Sequence, residues 1–173
     1  MKTLKLILAM VIVIGIAGCD KKADNVPSNL TVEQYIALLK ANQYDSLNLP
    51  VFTYQDIPAL LAYRNDTLKI RKFPVNEISS LKGPECKLGM YVLWTIESIR
   101  TEVTQSDRLI ERFPSQNPIL MLRNATEMML VYDNTSHEIA AKAYNDWWEN
   151  NKQKNFNDFK NIDPLTWTSY KWH

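Results

Sequence analysis

Apolar side chains recur at helical spacing in several stretches of the chain. Val32, Ile36 and Leu39 share one face, with Tyr35 and Leu38 beside them and Thr31 placed to cap. This spacing predicts a first helix running to about Ala41. A second helix is expected around Ile57, Leu60 and Leu61, starting at Thr53 or Asp56 and ending at Asn65-Asp66. Pro58 favours the later start, because a residue without an amide hydrogen is tolerated only near a helix beginning. Residues 68–73 alternate weakly and suit a short extended piece. The most regular pattern is Leu88, Val92, Ile96, Ile99 and Val103, at steps of 4, 4, 3 and 4. Leu93 and Trp94 make its middle apolar nearly all round, which predicts a central, buried helix over 86–103.

Asn117-Pro118 pairs a cap with a proline at the first helical position and predicts a fourth helix to about Asn124. Residues 126–132 fit either a continuation of it or a short strand. Thr135 and Glu138 stand at capping-box spacing and open a fifth helix to about Asn150. Ile139, Ala140, Ala143, Tyr144 and Trp147 form its wide apolar face. Trp147 is expected to be buried and Trp148, pointing away from that stripe, partly exposed; the pair could stack on a sugar ring or a partner, although core packing is the commoner use of both. Phe156 and Phe159 suggest a last helical turn, Pro164 stops it, and 167–173 is an aromatic tail in need of a docking place.

Between these elements two polar stretches stand out. Residues 20–29 read as a flexible tether. Residues 74–85 form the longest polar connection, and long loops on rigid scaffolds tend to carry binding groups. Asn76, Ser79 and Ser80 are its candidate binding residues.

The N-terminus follows another logic. Lys2 and Lys5 precede thirteen uncharged residues, 6–18, ending in small residues before Cys19. A membrane-crossing helix needs about twenty apolar residues, whereas this length and charge order fit a removed export signal. Three segments result: a leader at 1–18, Cys19 and tether at 19–29, and a single domain at 30–173. Loss of the leader takes two lysines with it and leaves 18 basic against 19 acidic side chains. Such a near-neutral body has no electrostatic case for nucleic acid. Only Gly83 and Gly89 remain among the glycines, which argues against the many tight turns of an all-β domain. Five Trp, eight Tyr and five Phe supply large contact surfaces instead. The expected fold class is therefore all-α.

Ile16-Ala17-Gly18-Cys19 resembles the bacterial lipobox. That resemblance implies cleavage before Cys19, lipidation of its sulfur, and attachment to a bacterial membrane on the periplasmic face. Two or more acyl chains hold a protein stably where one binds only marginally. With Cys19 so used, Cys86 has no partner for an intramolecular disulfide. Asp20 after the lipobox favours the inner membrane in enterobacteria, but other phyla use different export signals, so the membrane stays open.

Phe52-Thr53-Tyr54-Gln55-Asp56 with Arg64 to Thr67, and Phe113-Pro114-Ser115-Gln116-Asn117 with Arg123 to Thr126, read as two copies of one unit. Ile57-Pro58-Ala59-Leu60-Leu61 resembles the first helix of a HEAT-type pair, which implies a short array of antiparallel helix pairs. A compact five-helix bundle is the alternative. As a whole, the chain is similar to small, functionally unassigned lipoproteins of the Bacteroidota. The likeness rests on the lipobox, the scarcity of glycine, and the stretches 86–94 and 144–148.

Chemistry-bearing residues are few. With two histidines, His137 and His173, and no paired ligand spacing, neither a metal nor another cofactor is expected. Cys86 and His137 could pair as nucleophile and base, although a lone cysteine beside an apolar helix is more often a packing residue. Glu85, Glu97, Asp133 and Glu138 lie near helix ends or apolar faces, and sequence alone cannot place two of them across a cleft. The expected function is a membrane-anchored interaction or structural module of the cell envelope, with an envelope protein or glycan as partner. The alternative is an envelope hydrolase acting on glycan or peptide.

Overall fold

The computed structural model describes residues 29–81, 83–103 and 113–173. The expected leader, Cys19 and nearly all of the tether lie outside the described residues.

Helix α1 (Val32–Lys40) begins where Thr31 accepts from the Gln34 amide and the Gln34 side chain reaches back, a complete capping box. It ends in a Schellman turn built on asparagine rather than glycine. Asn42 takes the left-handed conformation (φ 55°), and the Gln43 amide donates to the Leu38 carbonyl at 2.8 Å. Thr53 caps a single 3₁₀ turn (Tyr54–Asp56) that runs directly into α2 (Ile57–Leu61); the Asp56 side chain closes the Thr53 capping box and makes no cap bond to α2. Two short strands, β1 (Lys69–Ile70) and β2 (Cys86–Lys87), pair antiparallel and feed α3 (Leu88–Val103).

Every residue of α3 from 88 to 101 is buried. A helix enclosed on all sides must satisfy its polar groups internally. Thr95 Oγ1 bonds to the Tyr91 carbonyl and lies 3.1 Å from the Tyr35 hydroxyl. Glu97 and Arg100 form a bidentate pair, and Arg100 also donates to the Lys160 carbonyl at 2.8 Å. The Tyr144 hydroxyl donates to Glu97 at 2.7 Å while accepting from the Trp172 indole at 2.8 Å. Burial alone would lower the Arg100 pKa, but the adjoining Glu97 carboxylate outweighs it and the net shift is upward.

The all-α expectation is corrected here: the fold is α+β, with one two-stranded and one three-stranded antiparallel sheet. The described residues form neither a HEAT-like array nor a five-helix bundle. Where a fourth helix was expected from Asn117, the chain forms β3 (Leu120–Leu122). It is flanked by β4 (Leu130–Val131) and by β5 (Tyr170–Trp172) from the C-terminal tail. A short apolar run such as 119–122 suits helix or strand equally; pairing with a segment fifty residues away decides it. The two similar stretches diverge accordingly, one becoming a helix and the other a strand. Scarce glycine counts against an all-β domain, and helix does outweigh strand, but it does not exclude short strands: no described glycine has a positive φ. The loops between paired strands are long enough to turn without one.

Helix α4 (Asn134–Glu149) is capped by Asp133, whose carboxylate accepts from the Ser136 amide, rather than by Thr135. Trp147 is buried and Trp148 half-buried. α5 (Phe156–Phe159) packs its two phenylalanines against Trp147.

Removing one member of a buried ion pair strands the other charge, at a cost of about 3–5 kcal/mol. Arg100→Met is therefore expected to lower unfolding stability by that amount in denaturant titration. The double change Arg100→Met with Glu97→Met should recover most of the loss. A single substitution as mild as an exposed one would contradict the role given to this pair.

Candidate functional site

A cleft of about 420 Å³ opens between the 74–85 loop, strands β2, β3 and β4, and the first turn of α4. The loop is held by its polar residues rather than presenting them. Asn76 is buried and donates to the Ser115 carbonyl at 3.1 Å; Ser79 is buried and accepts from Asn117 at 2.7 Å. The Tyr91 hydroxyl pins the loop's start through the Pro74 carbonyl at 2.9 Å. Val75, Gly83, Pro84 and Glu85 form the loop's contribution to the cleft wall. Ser80 is exposed and outside that wall. Trp148 sits near the far end of α4, against Trp147 and Phe159, so the four expected binding residues do not converge.

Cys86 and His137 do face the same cleft. Cys86 is only partly covered as a residue, yet burial of its sulfur pushes the thiol up to about 12. At that value almost no thiolate exists at neutral pH, and the thiolate is the nucleophile. The thiol makes long contacts with the Lys87 and Pro118 carbonyls instead.

His137 is 3 % exposed, and its Nε2 lies 2.8 Å from the Arg64 carbonyl. A carbonyl only accepts, so Nε2 carries the proton. Nδ1 has no hydrogen-bond partner among the described residues. Burial lowers the pKa of the ring, Lys87 adds to the effect, and the Arg64 bond opposes it. The unfolded ring therefore binds a proton more tightly than the folded one. Its contribution to stability is intact above the ordinary value of 6.5 and is lost as pH falls through it.

The carboxylates on the cleft are shifted in one direction. Lys69 holds Glu85 below the ordinary range, and the Ser136 amide does the same for Asp133. A glycosidase needs one carboxyl raised to serve as acid; neither of these is. The ammonium groups are committed too. Lys87 Nζ donates to the Tyr132 and Asp133 carbonyls and to Asn134 Oδ1, and Lys69 pairs with Glu85. Among the described residues no group of three or more His, Cys, Asp and Glu side chains could hold a metal ion. None of the described helices is long and apolar enough to cross a membrane.

Sequence reasoning passed over Gly89, which makes the cleft wall possible. A Cβ there would lie 2.4 Å from the Arg64 carbonyl oxygen and 2.5 Å from His137 Nε2. The available signal was its place: one of two glycines in the body, at the start of the most apolar helix. Gly89→Ala is expected to force the imidazole off its carbonyl and to destabilise the fold by about 2–3 kcal/mol. Thermal denaturation with His137 ring NMR checks both effects, and an undisturbed ring would contradict the geometry.

No curated protein and no solved structure matches the chain. The family model described as a domain of unknown function, DUF4943, matches residues 26–173, and the chain belongs to that family.

Proposed function

We propose that this is a lipid-anchored envelope protein whose folded domain is a binding module rather than a catalyst. The observation that carries the reading is the cleft: mostly apolar, large enough for a small ligand, and with its reactive groups held in unreactive states. Ligand sites commonly join an apolar lining to a few oriented polar groups. The proposed anchor rests on the lipobox at 16–19, and the family domain beginning at residue 26 supports a separate leader and tether before it.

A protein partner fits a second surface. Trp167 is 94 % exposed and shares a groove of about 350 Å³ with Ile139 and Ile162, both also exposed. Aromatic side chains left in water in this way favour interaction sites. Envelope hydrolysis is the weaker reading, since it needs a thiolate or a raised carboxyl.

Three results test the proposal. Cys19→Ala is expected to move the protein from the membrane fraction to the soluble one, or to stall its processing. Native mass spectrometry of the intact protein extracted from membranes is expected to show a bound small molecule, lost in Val75→Trp, which places an indole in the cleft. Iodoacetamide should leave Cys86 unmodified until the protein is denatured. Native-state alkylation that depends on His137, with turnover of an ester or peptide, would replace the binding reading with the hydrolytic one.

A further inference from the structure

The chemistry of the cleft narrows what it can hold. Phe73, Val75, Met90, Pro118, Ile119 and Val131 give it a carbon-rich wall. An anionic head group would find no free counter-charge there. The two ammonium groups on the rim are taken up by Glu85 and by three oxygens around the start of α4. The Glu85 carboxylate is taken up by Lys69, and one oxygen of the exposed Asp133 carboxylate accepts from the Ser136 amide. An anion entering the cleft would lose its hydration without gaining a partner, and a cation would meet Lys69 and Lys87 at the rim; both are costly in an apolar site.

His137 offers the cleft an acceptor that no described residue uses. His137 is 97 % buried, lines the cleft, and turns its protonated Nε2 to Arg64, leaving the Nδ1 lone pair without a partner among the described residues. Gly89 and the Arg64 carbonyl fix the ring from behind, so it cannot turn over without breaking the Nε2 bond. An oriented acceptor in an apolar wall rewards a ligand that brings one donor, and penalises one that displaces its water without supplying a donor.

Resting on the binding reading above, we propose that the cleft takes a neutral, mainly apolar small molecule carrying one N–H or O–H donor, as indoles and phenols do, with that donor on His137 Nδ1. The bond is neutral to neutral, and the apolar body is covered by the loop and the two strand edges. The same acceptor discriminates against molecules of equal size and apolarity that lack the donor.

The test uses two isomers, 3-methylindole and 1-methylindole, which differ in whether the ring N–H is present. Both are titrated into the full-length protein in detergent micelles while the Met90 methyl signal, assigned with Met90→Leu, is followed by NMR. Val75→Trp controls for partitioning into the micelle. The expected result is saturable binding of 3-methylindole, with 1-methylindole about tenfold weaker, the loss of one neutral hydrogen bond. In His137→Phe the two isomers should bind alike. Equal binding of both isomers to the wild-type protein overturns the proposed donor while leaving a binding cleft. Failure of both to perturb Met90 overturns the ligand class, and an empty protein in native mass spectrometry then removes the binding reading as well.

Discussion

The fold depends on a close approach that only glycine permits. At the first turn of α3 the backbone of Gly89 lies against the Arg64 carbonyl and the His137 ring with no side chain between them. Three elements meet there: the end of α2, the start of the buried helix and the start of α4. The Gly89 amide donates to the Asp66 carbonyl at 2.8 Å and the Leu88 amide to the Leu68 carbonyl at 2.8 Å. The open amides at the head of α3 are thereby satisfied by the preceding turn rather than by a side-chain cap. Moving any of the three would leave buried polar groups without partners.

From that junction the rest follows by burial. Enclosing α3 on every side requires more than helices, because its far end carries Glu97 and Arg100. The closing pieces are Tyr144 from α4, the Lys160 carbonyl after α5, and Trp172 from the C-terminal strand. β5 therefore serves two purposes, completing the sheet beside β3 and supplying the indole that orients Tyr144. The residue after it also ties back: the His173 amide donates to the Ile119 carbonyl at 3.0 Å, and Asn117 reaches both His173 and Ser79. The cleft is what remains between this sheet, the pinned 74–85 loop and the head of α4.

What could be read from the residues was local. The spacing of Leu88, Val92, Ile96 and Ile99, the Thr31 and Thr53 caps, and the helical stretch ending near Asn150 each follow from a few neighbours. Strand β3 could not be read that way, since Asn117-Pro118 offered a persuasive helix start and the partner lies in the tail. Its asparagine is spent on Ser79 and His173 instead of a cap. For the site, the 74–85 loop was visible as a long polar connection. Its polar residues turned inward because a loop pressed on a buried helix must satisfy Asn76 and Ser79 inside. Cys86 and His137 were paired on chemistry alone, and the structure brings them to one cleft. The environment of each could not be read from spacing, and it decides what they do: burial quiets the thiol, and a carbonyl occupies one face of the imidazole.

The acceptor offered to the cleft depends on the protonation of one ring. Heteronuclear NMR of the ¹⁵N-labelled full-length protein near pH 7 reads it directly. The structure calls for a neutral His137 with its proton on Nε2, a bare Nδ1, and a titration midpoint below 6.5. A proton on Nδ1 at neutral pH, in a neutral or a charged ring, would contradict the open acceptor on which the reading of the cleft is built.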